Sequence, residues 1–216
     1  MKIAVIGLGS MGYGMAGSLL RAGHEVFGTD ARPEPMQRFR AEGGAAGPLE
    51  EAPADLDALV SVVLNAAQTE GVLASALPRL HPGTVVLSCA TVAPDFARAM
   101  AAKAADAGVL YLDAPISGGA AKAAAGQLSV MASGSPEAFR AARPVLDAVA
   151  ETVFELGPEP GAGSAMKAVN QLLAGVHIAA MAEALTFGMT QGVAPAQFLE
   201  VISKCAGTSW MLENRA

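Results

Sequence analysis

Aromatic side chains are scarce: one tryptophan, two tyrosines and seven phenylalanines among 216 residues, so any core must be largely aliphatic. Cysteine is scarcer still. Cys89 and Cys205 lie far apart, and His24, His81 and His177 stand away from both, which excludes a disulfide framework and any metal-ligand spacing. No metal is expected, and a reducing cytoplasm is the simplest setting. Charged residues make up only 16% of the chain, and the net charge of -6 is spread without a basic stripe. A phosphate backbone would find little to displace its counterions, so nucleic acid is excluded as a partner. No run of about 18 uninterrupted apolar residues occurs, so no membrane span or membrane partner is expected. The start, MKIAVIGLGSMGYGMA, has the lysine and apolar stretch of a secretory signal, but its glycine spacing fits a phosphate-binding loop and reads as mature structure.

What is present is hydrophobic residue, 52% of the chain, enough for a compact fold. Short β-rich runs alternate with alanine-rich stretches of helix length: KIAVI, EVFGTD, ALVSVVL, TVVLS, VLYLDAP, LSVMAS and TVFELG. This rhythm predicts an α/β, Rossmann-like, doubly wound and mainly parallel sheet, with helices near 11–22, 68–80, 94–107 and 136–147. After the Gly/Pro cluster GPEPGAGS, at 157–164, strand signals stop. One long helix is predicted from Ala165 to about Gly192, with Val169, Leu172, Leu173, Val176, Ala180, Ala184 and Phe187 as an apolar stripe, and a second near Pro195 to Lys204. Domains are therefore drawn at 1–162 and 163–216. The second part, about fifty residues, is too short to bury that stripe alone, so a partner subunit or further sequence is expected to complete an all-α domain. A homodimer or homotetramer is the expected assembly.

Gly7, Gly9 and Gly12 form G-x-G-x-x-G directly after KIAVI and open a helix, the arrangement that brings backbone N–H groups of the loop, with Ser10 and Met11, against a pyrophosphate. The next strand ends in Asp30, placed to accept from the adenosine ribose hydroxyls and to repel a 2′-phosphate. The expected cofactor is NAD, with Arg32 keeping NADP open. Leu64, Asn65 and Thr91 fall at strand C-termini, where open α/β sheets bind ligands.

Ser117, Gly118 and Gly119 follow a later strand on the same edge, and two bare glycines with a hydroxyl can hold a carboxylate. The competing reading is a turn with Ser117 as a helix N-cap. Lys122 could add charge to the pocket or be an ordinary surface lysine. Lys167 opens the long helix, with Asn170 and Gln171 three and four residues on and so on one face. A helix N-terminus and partial burial both disfavour the ammonium form, which suits this lysine to acid and base work.

GLGSMGYG, DAPISGGAAKAAAG and GAGSAMKAVNQ, in that order, resemble the β-hydroxyacid dehydrogenase family, the group around 3-hydroxyisobutyrate dehydrogenase. The resemblance spans the whole chain. It implies a Rossmann domain, a long interdomain helix, an all-α second domain, NAD-dependent oxidation of a small hydroxy acid, and Lys167 as the catalytic residue. It also implies further helices and a further lysine past position 216. Two departures are visible: Ala132, Ser133 and Gly134 stand where a Gly-Gly pair is usual, and Gln171 stands where the family commonly has asparagine, with Asn170 one position earlier. Which amide meets substrate stays open. Ser209 and Trp210 resemble the family's substrate-side segment. An imine reductase shares the two-domain plan but typically lacks the lysine, and a non-catalytic dinucleotide-binding module would keep the glycine loop without needing clamp and lysine together.

Overall fold

The computed structural model describes residues 1–215. The first apolar run forms strand β1 (Lys2–Ile6), whose alternate residues enter two different cores: Ile3 and Val5 on one face, Ala4 and Ile6 on the other. A strand buried on both faces belongs inside a sheet covered by helices on each side. The chain then continues through α1 (Gly12–Arg21), β2 (Glu25–Thr29), α2 (Pro33–Ala41), β3 (Ala45–Ala46), β4 (Ala58–Ser61) and α3 (Ala66–Ala76). It goes on through β5 (Val85–Ser88), α4 (Pro94–Asp106) and β6 (Leu110–Asp113). Six strands pair in parallel in the order β3-β2-β1-β4-β5-β6. The order reverses direction at β1, the switch point of a doubly wound sheet, where ligands bind beyond the strand C-termini.

Beyond β6 come β7 (Ile116–Ser117), α5 (Gly119–Ala125), β8 (Leu128–Ala132), α6 (Pro136–Val149) and β9 (Ala150–Glu155). They add a second sheet, β7-β8-β9, antiparallel at β7/β8 and parallel at β8/β9. An antiparallel bridge between Asp113 and Ser133 stitches the two sheets together. Helix α6 starts at a Ser135 cap followed by Pro136, and lays Phe139, Ala142, Val145, Leu146 and Val149 against the core.

The chain divides into two compact units, residues 1–167 and the residues from Ala168 on. Helix α7 (Ala162–Thr190) begins in the first and continues into the second, where α8 (Pro195–Ile202) and α9 (Trp210–Arg215) follow. Gly192, at φ +81°, ends α7: Val193 N–H bonds to Gly188 C=O and Gly192 N–H to Met189 C=O, a Schellman motif. Phe198 packs beside this turn and is buried, while Val169, Leu172, Leu173, Val176 and Phe187 are exposed. Although α7 lacks a long uninterrupted apolar run, an 18-residue window within it has a mean hydropathy of 1.5, so by length and composition alone it could cross a bilayer.

Candidate functional site

The loop from β1 to α1 is shaped by what a side chain would hit. A Cβ on Gly7 would lie 2.4 Å from the Val62 carbonyl oxygen, and one on Gly12 would lie 1.8 Å from that of Gly7. Gly9 differs, since no atom comes within 4 Å of its Cβ position. There the loop faces a cavity of about 490 Å³, lined among others by Gly9, Ser10, Tyr13, Arg32, Arg38 and Ala120. Among the described residues no side chain caps α1, and although Tyr13 N–H bonds back to Gly9 C=O, the helix N-terminus has no side chain set against an incoming anion. The cradle fits a pyrophosphate.

Asp30, just past β2, is nearly buried and doubly engaged. Its Oδ2 accepts from Leu8 N–H at 2.8 Å, pinning the glycine loop, and its Oδ1 accepts from Arg32 N–H at 3.0 Å and Arg32 Nε at 3.2 Å. Leu64 is 84% exposed beyond β4, and Thr91 is exposed beyond β5. Asn65 acts locally, because its Oδ1 accepts from Gln68 N–H at 3.0 Å while Gln68 Oε1 accepts from Leu64 N–H at 2.9 Å, a reciprocal cap on α3.

At the other candidate end, Ser117 closes β7, and Gly118, not Ser117, is the N-cap residue of α5. Gly118 and Gly119 have φ of +136° and +80°, values closed to ordinary side chains, and the Cβ position of Gly119 is free of any atom within 4 Å. Lys122 ion-pairs with Glu151 of β9 at 3.4 Å, both exposed, which accounts for it as a surface lysine. Helices α1 and α5 touch backbone to backbone: a Cβ on Gly14 would sit 2.6 Å from Ala124 N. Ser18 Oγ donates to Ala123 C=O at 3.0 Å and Arg21 donates to Ala124 C=O, so α1 caps the end of α5.

Lys167 is 7% exposed, and burial pushes its amine below the ordinary lysine value of 10.5. The start of its helix is set on the sheet by a glycine: a Cβ on Gly163 would come 2.3 Å from Met131 C=O and 2.8 Å from Asp113 C=O. The glycine loop, Leu64, Thr91 and the first turn of α7 all gather at the carboxyl edge of one sheet, after β1, β4, β5 and β6.

Residues 2–157 match the family described as the NAD binding domain of 6-phosphogluconate dehydrogenase, and residues 161–216 match the NAD-binding segment of NADP-dependent 3-hydroxyisobutyrate dehydrogenase. An L-threonate dehydrogenase of Cupriavidus necator is 50% identical over 99% of this chain and 73% of its own length. A crystal structure of 3-hydroxyisobutyrate dehydrogenase from Salmonella typhimurium superposes with a TM-score of 0.96 at 45% identity, over all of this chain and 76% of that one. The chain belongs to the β-hydroxyacid dehydrogenase family. It is an NAD-dependent hydroxyacid dehydrogenase.

Within this dehydrogenase, Asn170 is half-buried and Gln171 exposed, with Asn170 Nδ2 donating to Gln171 Oε1 at 3.2 Å; both belong to the second unit. No local sequence pattern gives a role to Asp113, Ser133 or Ser164. The Asp113 side chain, 1% exposed, accepts from Gly161 N–H at 2.9 Å, Ser164 N–H at 2.8 Å, Ser164 Oγ at 2.7 Å and Ser133 Oγ at 3.3 Å. A buried carboxylate is tolerable only with such a set of donors. Asp113 does head the DAPISGG motif, but its partners lie 48 and 51 residues away, beyond any local pattern.

Proposed function

We propose that the protein oxidises L-threonate at C2 to the 2-oxo acid. The reading rests above all on Lys167, an amine held out of solvent and lowered in basicity by burial alone, one turn into a helix seated at the ligand edge of a dinucleotide-binding sheet. In its neutral form Lys167 takes the proton of the C2 hydroxyl as C2 becomes a carbonyl, and it returns the proton in the reverse direction. NAD, when bound, supplies the hydride acceptor. Gly7, Gly9, Ser10, Met11 and Gly12 hold its pyrophosphate and Asp30 its adenosine ribose, while Leu64, Asn65 and Thr91 line the same edge. Ser117, Gly118 and Gly119 hold the substrate carboxylate through N–H and hydroxyl donors. Asn170 or Gln171 orients the substrate oxygen.

L-threonate is favoured as substrate because the Cupriavidus necator relative and an Escherichia coli K12 relative, 44% identical over 99% of this chain and 72% of its own length, both carry that activity by name. The Salmonella structure's name favours a second reading, 3-hydroxyisobutyrate. A panel of the two acids with tartronate semialdehyde, followed by NADH absorbance, decides between them by kcat/KM. In Lys167→Ala, NAD binding by titration stays within about twofold while turnover falls about 100-fold or more. In the unmodified enzyme kcat/KM rises with pH through a group titrating below 10.5, because only the neutral amine accepts a proton. Turnover near normal in Lys167→Ala sinks the mechanism.

The reading includes a homodimer or homotetramer in the cytoplasm, with domains at 1–162 and 163–216. The two free cysteines suit a reducing compartment, and the exposed apolar residues of α7 suit a covering subunit.

A further inference from the structure

Helix α7 carries no cap of its own. Its N-cap position is Gly161, which has no side chain and sits at φ +100°. The donors of its first turn are taken instead by a residue 48 positions earlier in the chain: Asp113 Oδ2 accepts from Gly161 N–H and Ser164 N–H, and Asp113 Oδ1 from Ser164 Oγ. Ser133 completes the joint. Its Oγ donates to Asp113 and accepts from Gly163 N–H at 3.0 Å, while its backbone exchanges both hydrogen bonds with that of Asp113. One buried carboxylate thus ties the end of β6, the strand end after β8 and the start of α7 into one knot.

Lys167 stands three residues past Ser164 and four past Gly163, directly above them on the same helical face. Rotation or fraying of that first turn would carry the amine with it. We propose that Asp113, with Ser133 and Ser164, is the positioning device that fixes where the Lys167 amine stands over the substrate. The proposal rests on Lys167 being the general base and extends that reading from the base to what aims it. The Asp113 carboxylate touches neither substrate nor cofactor in this scheme; it acts through the helix. The contribution is geometric, since misplacement of a reacting group by about 1 Å can cost on the order of 100-fold in rate.

The test measures kcat, KM for L-threonate, KM for NAD and NADH-binding stoichiometry for Asp113→Asn and Ser164→Ala, each alone and combined with Lys167→Ala. Asp113→Asn keeps the shape but removes the charge that the Gly161 and Ser164 N–H groups share and leaves an N–H₂ facing Ser164 Oγ, and it is expected to lower kcat about 10- to 100-fold; Ser164→Ala, which removes one donor, lowers it about 3- to 10-fold. KM for NAD stays within about twofold in both, as the cofactor loop lies outside the joint. In the Lys167→Ala background the same substitutions change residual turnover by less than about twofold, because the group they aim is gone. A purely structural role would instead reduce the number of NADH-binding sites and leave turnover per site unchanged.

The inference is overturned by unchanged kcat per site in folded Asp113→Asn or Ser164→Ala, or by equal fold-losses in both backgrounds. If Asp113→Asn does not fold, Ser164→Ala decides alone. Retained turnover in the Lys167→Ala single variant sinks the base assignment itself, whereas its loss beside normal turnover in the other two sinks only the positioning role.

Discussion

Cys89 lies just past the end of β5, and burial, with the Asp113 charge as a smaller cause, pushes its thiol up to about 12. Cys205 is exposed. Only a thiolate reacts readily, so at neutral pH a chromogenic disulfide reagent should titrate one thiol per native chain and two in denaturant. Two thiols reacting quickly in the native state would contradict the burial of Cys89. At this scale the sequence is most legible where function is written in adjacent residues. The glycine loop, Asp30 and Lys167 each sit in a short pattern whose spacing already implies geometry. Asp113 and Ser133 were illegible for the opposite reason, because their partners are distant in the chain and a lone acid at a strand end has many possible uses. Asn65 shows a third case, in which a residue picked for its place at a strand end also caps the helix that follows.

Among the elements, three glycines that look alike in sequence do different work. Gly9 borders open space, Gly163 lies against two carbonyl oxygens, and Gly14 lies against the backbone of α5. Gly163→Ala is therefore expected to lower stability by about 1–3 kcal/mol, read as a fall in Tm, since backbone on both sides must shift. Gly9→Ala should leave Tm nearly unchanged and weaken NAD binding about tenfold or more, because the added methyl enters the space the pyrophosphate needs. The reverse pattern would mean that the loop's opening is not the cofactor cradle. The seven longer strands and four of the helices on the sheet were legible from their periods. β3 and β7, two residues each, have too few positions to show alternation. Helices α2 and α5 bury only Phe39 and Ala123 respectively, so neither leaves an apolar stripe. The 29-residue α7 was visible, with its start set three residues too late at Ala165, because the first turn is written in glycine, alanine and serine and is held by distant groups.

For the whole molecule, the apolar residues left exposed along α7 set the clearest expectation. Val169, Leu172, Leu173, Val176 and Phe187 are each more than half exposed, a density that isolated soluble chains seldom tolerate. Light scattering coupled to gel filtration should find a dimer or tetramer, and a monodisperse monomer would refute the proposed assembly. All six strands of the main sheet run the same way, and the glycine loop, Asp30, Leu64 and Thr91 each follow a strand's carboxyl end. The opposite rim carries none of the groups proposed to hold NAD. Its turn at Pro53 and Ala54, exposed and just ahead of β4, offers a place to splice in a fluorescent reporter or affinity tag that should leave NAD affinity untouched.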